Sequence, residues 1–332
     1  MILHTKAGIS EAQAHEIAKA TQSAIFKKDD YYVLVTPSKM KESPAEFSAH
    51  IEAEWPMSDD IQLASKSYLN ATREVKVGKV TIGGNTGNTL IVAGPCSVES
   101  EEQIRESAAL LQELNITALR GGCYKPRTSP YSFQGLGLEG LKLLAKMRDE
   151  HGFSIVSEVR DSTHVDEVIE HADVIQIGAK SMYDHGILKA CAKTNKTVLI
   201  KRGFGTTLQE FVQAAEFVLS GGNENVLLCE RGIRTFETKT RFTLDLCGVA
   251  WLKEYTNLPV ILDPSHALGY RYGIADLTKA CVAMGVDGLL IEVHPNPAVA
   301  KSDAAQQLYH DQFRDLMKAI KPVAEAVGRR IV

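Results

Sequence analysis

The segment LRGGCYKPRTSPYSFQGLG, Leu119 to Gly137, crowds Arg120, Lys125 and Arg127 into one loop that Pro126 and Pro130 stiffen and several glycines loosen. That combination suits a loop that holds an anion of fixed shape. Arginine forks match phosphate or carboxylate oxygens in pairs, and lysine adds a compact charge. Lys180, Lys201 and Arg231 each follow a short apolar run further along the chain. If those runs are neighbouring strands, all six cations converge, and two phosphorylated or carboxylated substrates suit them better than one. Pairing of some of them with acids such as Glu158 and Glu230 is also expected, and leaves an anion site standing.

A second set of residues has metal-ligand chemistry. Cys96, His266, Glu292 and Asp303 combine soft and hard donors, which suit Zn, Mn, Fe or Co better than Mg or Ca. They are far apart in the chain, and a lone cysteine in AGPCSV is by itself more often core than ligand. Only a fold that brings them together makes a site. His294, two residues after Glu292, is a rival ligand because alternate strand residues share a face. His266, between Ser265 and Ala267 in LDPSHA, is the stronger choice. The other five cysteines read as core, with Cys123 set apart because it sits in the anion loop.

The elements that must position these residues show a rhythm. From about residue 89, the apolar runs TLIVAGPC, ITALRGG, FSIVSEV, VIQIGAK, TVLIKRG, NVLLCERG, PVILDPSH and DGLLIEVH alternate with helix-length amphipathic stretches. Continuous apolar runs suit parallel strands buried on both faces. Eight strand–helix units predict a (β/α)8 barrel, an α/β fold whose C-terminal strand ends build the active site. Those ends carry Cys96, Arg120, Glu158, Lys180, Lys201, Arg231, His266 and Glu292. Residues 1–73 read as a small α+β extension and residues 74–332 as the catalytic barrel. EVKVGKVTIGGNTGN, at the start of the barrel, predicts a β-hairpin that plugs its N-terminal end.

Composition narrows the function class. The 332 residues carry 41 acidic and 37 basic side chains, a net charge of −4, so there is no basic field for nucleic acid. No run of about 18 apolar residues suggests a membrane span, and the start lacks a signal peptide's apolar core. Six cysteines without a CxxC pair fit a reduced, cytoplasmic protein.

The motifs AGPCSVES, LRGGCYKPRTSPYSFQGLG, IQIGA, LIKRGF, CERGIRTFE, LDPSHA and IEVHPNP with its following SD resemble 3-deoxy-D-arabino-heptulosonate 7-phosphate (DAHP) synthase. The type I beta subclass, which has an N-terminal extension, matches best, over residues 74–332. The resemblance implies condensation of phosphoenolpyruvate with erythrose 4-phosphate, the first step of the shikimate pathway. It implies a divalent metal on Cys96, His266, Glu292 and Asp303. Arg120 and Lys125 would face the carboxylate end of phosphoenolpyruvate, and Lys180, Lys201 and Arg231 its phosphate. Arg127, Thr128 and Ser129, with Ser265, would take the aldose phosphate. Lys125 would donate a proton, and Glu158 would help to handle water. The extension would be ferredoxin-like or ACT-like and sense an aromatic amino acid. A homotetramer is implied, as is a complex with chorismate mutase, of which the sequence carries no direct sign. Two positions depart from the family pattern: Lys180-Ser181 replaces a usual Arg-Asn, and Cys123 replaces a common Ala, offering an oxidisable thiol.

Three rivals stand beside this reading. Octulosonate-8-phosphate synthases, which use arabinose 5-phosphate, share AGPC but read KANRS-like where this chain reads KPRTS. A Schiff-base aldolase would use Lys201 as nucleophile, yet the adjacent Arg202 and the anion cluster suit phosphate binding better. A non-catalytic sugar-phosphate sensor would be expected to lose some of the four metal ligands, and all four are present.

Overall fold

The computed structural model describes residues 1–125, 129 and 131–332. The eight apolar runs form strands β7 (Asn88–Gly94), β8 (Ala118–Arg120), β9 (Ser154–Val159), β10 (Val174–Ile177), β11 (Thr197–Lys201), β12 (Val226–Glu230), β13 (Val260–Leu262) and β14 (Gly288–Glu292). All pair in parallel, each with the next, and β14 closes on β7 with Leu289 opposite Ile91. The continuous hydrophobicity has a period-two meaning. Leu90, Val92, Val174, Leu199 and Leu290 fill the barrel interior, while Ile91, Ala93, Ile175, Val198, Ile200 and Ile291 face the surrounding helices.

The helices after these strands are α2 (Glu101–Glu113), α3 (Leu138–His151), α4 (Val165–His171), α5 (His185–Ala192), α6 (Leu208–Leu219), α7 (Leu246–Tyr255), α8 (Pro264–Leu268), α9 (Ile274–Ala283) and α10 (His310–Ala326). The short α8 is not anticipated by the apolar pattern. The stretch TRFTL before α7 is extended: Ile233 and Thr243 exchange backbone hydrogen bonds at 2.9 Å, and Asp245 caps α7. Cys247, expected in the core, is exposed, whereas Cys123 is completely buried and so offers no accessible thiol.

The predicted hairpin is β5 (Glu74–Val77) and β6 (Val80–Gly83). Its Val75, Val77 and Ile82 join the interior cluster, and the Thr197 hydroxyl donates to the Lys76 carbonyl at 2.9 Å. The hairpin thus closes the N-terminal end of the barrel, and the polar strand ends open at the other.

The extension comprises β1 (Ile2–Thr5), α1 (Glu11–Thr21), β2 (Ala24–Lys28), β3 (Tyr31–Val35) and β4 (Ile51–Trp55), in an antiparallel sheet of order β2-β3-β1-β4. A capping box between Ser10 and Gln13 starts α1. This is a ferredoxin-like arrangement whose second helix is reduced to a 3-10 turn, Ala45–His50. One face packs on α1 through Leu3, Ala14, Ile17 and Leu34, and the other turns Ile2 and Val33 toward the main core. Residues 61–73, placed with the extension in the sequence reading, run along the barrel. Half-buried Glu216 of α6 accepts the backbone N–H groups of Gln62, Leu63 and Ala64 at 2.7, 3.2 and 2.8 Å. Lys28 and Arg73 both pair with Glu224.

Candidate active site

His266 does not end a strand. It sits in α8, where Pro264 supplies a preset first turn and Asp263 caps the helix by accepting the His266 N–H at 2.9 Å. The other oxygen of Asp263 holds His266 Nδ1 at 2.8 Å and Lys201 Nζ at 2.5 Å. Burial alone would raise the pKa of Asp263, but His266 and Lys201 hold its carboxyl well below the usual range. With Nδ1 donating to that carboxylate, the Nε2 lone pair of His266 is free to accept.

Nε2 lies 3.5 Å from Glu292 Oε1 and 3.6 Å from Asp303 Oδ2, and Cys96 Sγ lies 3.4 Å from Asp303 Oδ2. One ligand atom each from Cys96, Glu292 and Asp303 falls within 4.8 Å of the others. Asp303 holds a left-handed φ of 46°, unusual for a non-glycine residue and common where function imposes geometry. The four residues expected to hold a metal therefore converge. The donor set of one sulfur, one imidazole nitrogen and two carboxylates fits a borderline divalent cation. The orienting carboxylate behind His266 is the usual companion of such a ligand. Burial, with Glu292 and Asp303 nearby, pushes the Cys96 thiol up to about 12, so a cation at this point would be needed to ionise it. His294, the rival, faces elsewhere: its Nδ1 accepts the Asn296 N–H and its Nε2 is 3.7 Å from Glu99.

Beside the cluster opens a cleft of about 300 Å³ lined by Lys125, Lys180, Lys201, Arg231, Arg234 and Arg241, with Glu158, Phe204 and Phe242 between them. Arg231 is the telling member. It is only 4 % exposed, makes no ion pair among the described residues, and leaves its Nε without a partner. Its guanidinium lies 4.2 Å from the Phe242 ring centroid. Burial lowers the pKa of this guanidinium, which marks an uncompensated charge awaiting an anion. Arg234 covers Phe204 in the same way at 4.8 Å, and the two rings stack.

The expected pairing of cations with acids occurs, but with other partners. Arg120 pairs with Glu292 at 2.5 Å and Lys201 with Asp263. Glu230 binds Arg202, whose side chain turns outward to Glu230 and Asp245 and does not join the anion cluster. Strand alternation explains this, because Lys201 points inward and its neighbour cannot. Lys125 Nζ donates to the Cys96 carbonyl at 3.1 Å and approaches Cys96 Sγ at 3.2 Å. Burial works against the Lys125 charge, but Cys96 and Glu158 outweigh it and hold the ammonium above the ordinary lysine range. Glu158 accepts from Gln176 at 2.6 Å.

Ser265, expected at the aldose phosphate, is fully buried, and its hydroxyl accepts the Glu292 N–H at 3.0 Å. It braces a ligand-bearing strand end and does not line the cleft. Ser129 accepts the Tyr131 N–H. Arg127 and Thr128 lie outside the described residues. Sequence reasoning missed Asp263, Arg234, Arg241, Gln306 and Gln307. An Asp immediately before Pro is a helix-start signal that would have found Asp263. The others carry no local pattern.

Residues 60–329 match the family model described as the DAHP synthetase I family. A phospho-2-dehydro-3-deoxyheptonate aldolase of Thermotoga maritima is 43% identical over 270 residues, 81% of this chain and 79% of that protein. A 2-dehydro-3-deoxyphosphooctonate aldolase of Syntrophotalea carbinolica is 35% identical over 75% of this chain and 95% of that protein. Among solved structures, the phospho-2-dehydro-3-deoxyheptonate aldolase (DAHP synthase) of Thermotoga maritima superposes with a TM-score of 0.81 at 36% identity, covering 100% of this chain and 99% of that one. A truncated 3-deoxy-D-arabino-heptulosonate 7-phosphate synthase from the same organism superposes at 0.77, with 38% identity, over 82% of this chain and 100% of that one. The chain belongs to the DAHP synthetase I family.

Proposed function

We propose that this enzyme condenses phosphoenolpyruvate with D-erythrose 4-phosphate and water to give 3-deoxy-D-arabino-heptulosonate 7-phosphate and inorganic phosphate. The observation that carries the reading is the unpaired, buried Arg231 facing a six-cation cleft beside the Cys96–His266–Glu292–Asp303 cluster. Cys96, His266, Glu292 and Asp303 are assigned to a divalent cation, which when bound would act as a Lewis acid on the aldehyde oxygen. Arg231 and Lys180 would bind the phosphate of phosphoenolpyruvate, and Lys201, braced by Asp263, would add its charge from below. Lys180 is exposed, so its lysine in place of an arginine costs a fork at the rim and leaves the buried Arg231 to hold the group.

C3 of the enol phosphate forms the new bond to the aldehyde carbon as its C=O π bond opens, and Lys125 supplies a proton to the alkoxide that forms on the aldehyde oxygen. Its ammonium, held charged and beside the cluster, suits a donor. Water adds at C2, with Glu158 in the cleft to accept its proton, and the C2–O bond to phosphate then breaks. Holding two mutually repelling anions at fixed spacing is the principal task of the cations. Arg127, Thr128 and Ser129 are proposed for the aldose phosphate.

The heptonate relative is more similar than the octonate ones, which supports the four-carbon aldose. The test is competition between erythrose 4-phosphate and arabinose 5-phosphate, with the product identified by mass. A seven-carbon product preferred at least roughly tenfold in kcat/KM is expected, since phosphate alone cannot select chain length; an eight-carbon product would reassign the substrate. A homotetramer, a cytoplasmic location and an aromatic amino acid effector on residues 1–73 belong to the same proposal. Light scattering with and without tyrosine or phenylalanine, alongside rates, checks the assembly and the effector.

A further inference from the structure

The adjacent Gln306 and Gln307 are 2 % and 0 % exposed, a rare place for amides unless every polar atom has work to do. They face opposite ways. Gln306 Nε2 donates to Glu292 Oε2 at 2.6 Å and reaches Asp303 Oδ2 at 3.3 Å. Its Oε1 accepts from Arg241 at 2.8 Å, which fixes the amide orientation, since an arginine offers no acceptor. Gln307 Oε1 accepts the Cys96 N–H at 2.9 Å, and its Nε2 donates to the Ser302 carbonyl at 2.8 Å. Both backbone N–H groups point at the carbonyl of Asp303, at 3.2 and 3.4 Å, closing the turn in which Asp303 takes its left-handed backbone. One dipeptide therefore holds Glu292, Asp303 and the Cys96 backbone.

The geometry points to Gln306-Gln307 as the positioning device of the cation site, an inference that rests on the metal assignment above. Arg120 already pairs with Glu292 and Arg241 stands near Asp303, so a further lysine or arginine bridging the two carboxylates would cancel more of the charge that attracts a dication. A neutral amide donor orients both carboxylates without adding positive charge. Arg241, 3.7 Å from Asp303 and in the wall of the cleft, links the same amide to the anion subsite.

The test is Co2+ binding to the full chain, read by thiolate-to-cobalt absorption and by competition with a chelator. Gln306→Met keeps the volume and removes the donors. It should weaken Co2+ binding by about 10–100-fold, as loss of an outer hydrogen-bond partner does at other metal sites. Inorganic phosphate binding should change far less than Co2+ binding, because Gln306 reaches the cleft only through Arg241 at its wall, and Arg231, Lys180 and Lys201 make no contact with it. Should that variant not fold, Gln306→Asn, which withdraws the amide by one methylene, is expected to give the same weakening. His266→Ala is the control for the metal assignment. Cobalt affinity unchanged or tighter in the Gln306 variants while His266→Ala loses it would overturn the positioning role alone. Affinity unchanged in all of them would overturn the metal assignment and this inference with it.

Discussion

Asp263 concentrates more of the site on one carboxylate than any other residue: it caps α8, sets the His266 tautomer and grips Lys201. Asp263→Asn keeps the size but loses the charge, and is expected to lower both metal affinity and kcat by about 10–100-fold. Titration with Co2+ and steady-state rates check it, and unchanged values for both would remove Asp263 from the mechanism. Arg231 makes the opposite trade. Burying an unpaired cation costs stability, so Arg231→Met should raise the melting temperature while raising the KM for phosphoenolpyruvate at least roughly tenfold. A lower melting temperature would mean that Arg231 is structural. At this scale the proposed metal ligands could be picked out because Cys, His, Glu and Asp are chemically distinctive at strand ends and in the loops just beyond them. The two glutamines were not, because a neutral amide becomes informative only when its partners are known.

Elements place these residues by backbone constraint as much as by side chains. Gly94, just before Pro95 and Cys96, has φ 147°, and a Cβ there would lie 2.2 Å from the Arg120 carbonyl. Gly94→Ala should therefore push β7 from β8 and displace Cys96, lowering the melting temperature and Co2+ affinity together; a variant that melts and binds as the parent would contradict this. The strands could be read because continuous apolar runs between helical stretches have few other interpretations. Helix α8 could not, since five residues are too few to show a helical period, and Lys201 and Arg202 look equivalent until the pleat sends one inward and one out. Glu216 offers a pH test of how α6 holds the linker. Burial raises its pKa to about 7, with the three backbone N–H groups opposing. Between the ordinary glutamate value and about 7 the unfolded chain releases a proton that the folded protein keeps, so stability falls as pH rises through that window. Thermal melts from pH 5 to 7.5 should show this decline, and Glu216→Gln should flatten it. An equal slope in the variant would mean that another group sets the dependence.

The whole molecule separates closure from chemistry. The hairpin seals one end of the barrel with Val75, Val77 and Ile82, and every proposed ligand lies at the other. The ferredoxin-like module docks on the flank through Lys28–Glu224 and the Ile2–Val33 face. A chain starting at residue 60 should keep Co2+ affinity within about twofold, as sites without shared partners behave independently. A large loss on truncation would show that the module shapes the site. No helix among the described residues is long and apolar enough to cross a membrane. The barrel was legible as a repeat of eight units, whereas the docking of residues 61–73 on it rests on backbone groups that no sequence pattern records. The central claim is that the cation cluster and the anion cleft act on one pair of substrates. It is tested most directly by phosphate release from phosphoenolpyruvate by metal-stripped enzyme, with erythrose 4-phosphate present or absent and with divalent metal restored or withheld. Release only when aldose and metal are both present is the predicted result; release from metal-free enzyme at the full rate, or none under any condition, would contradict it.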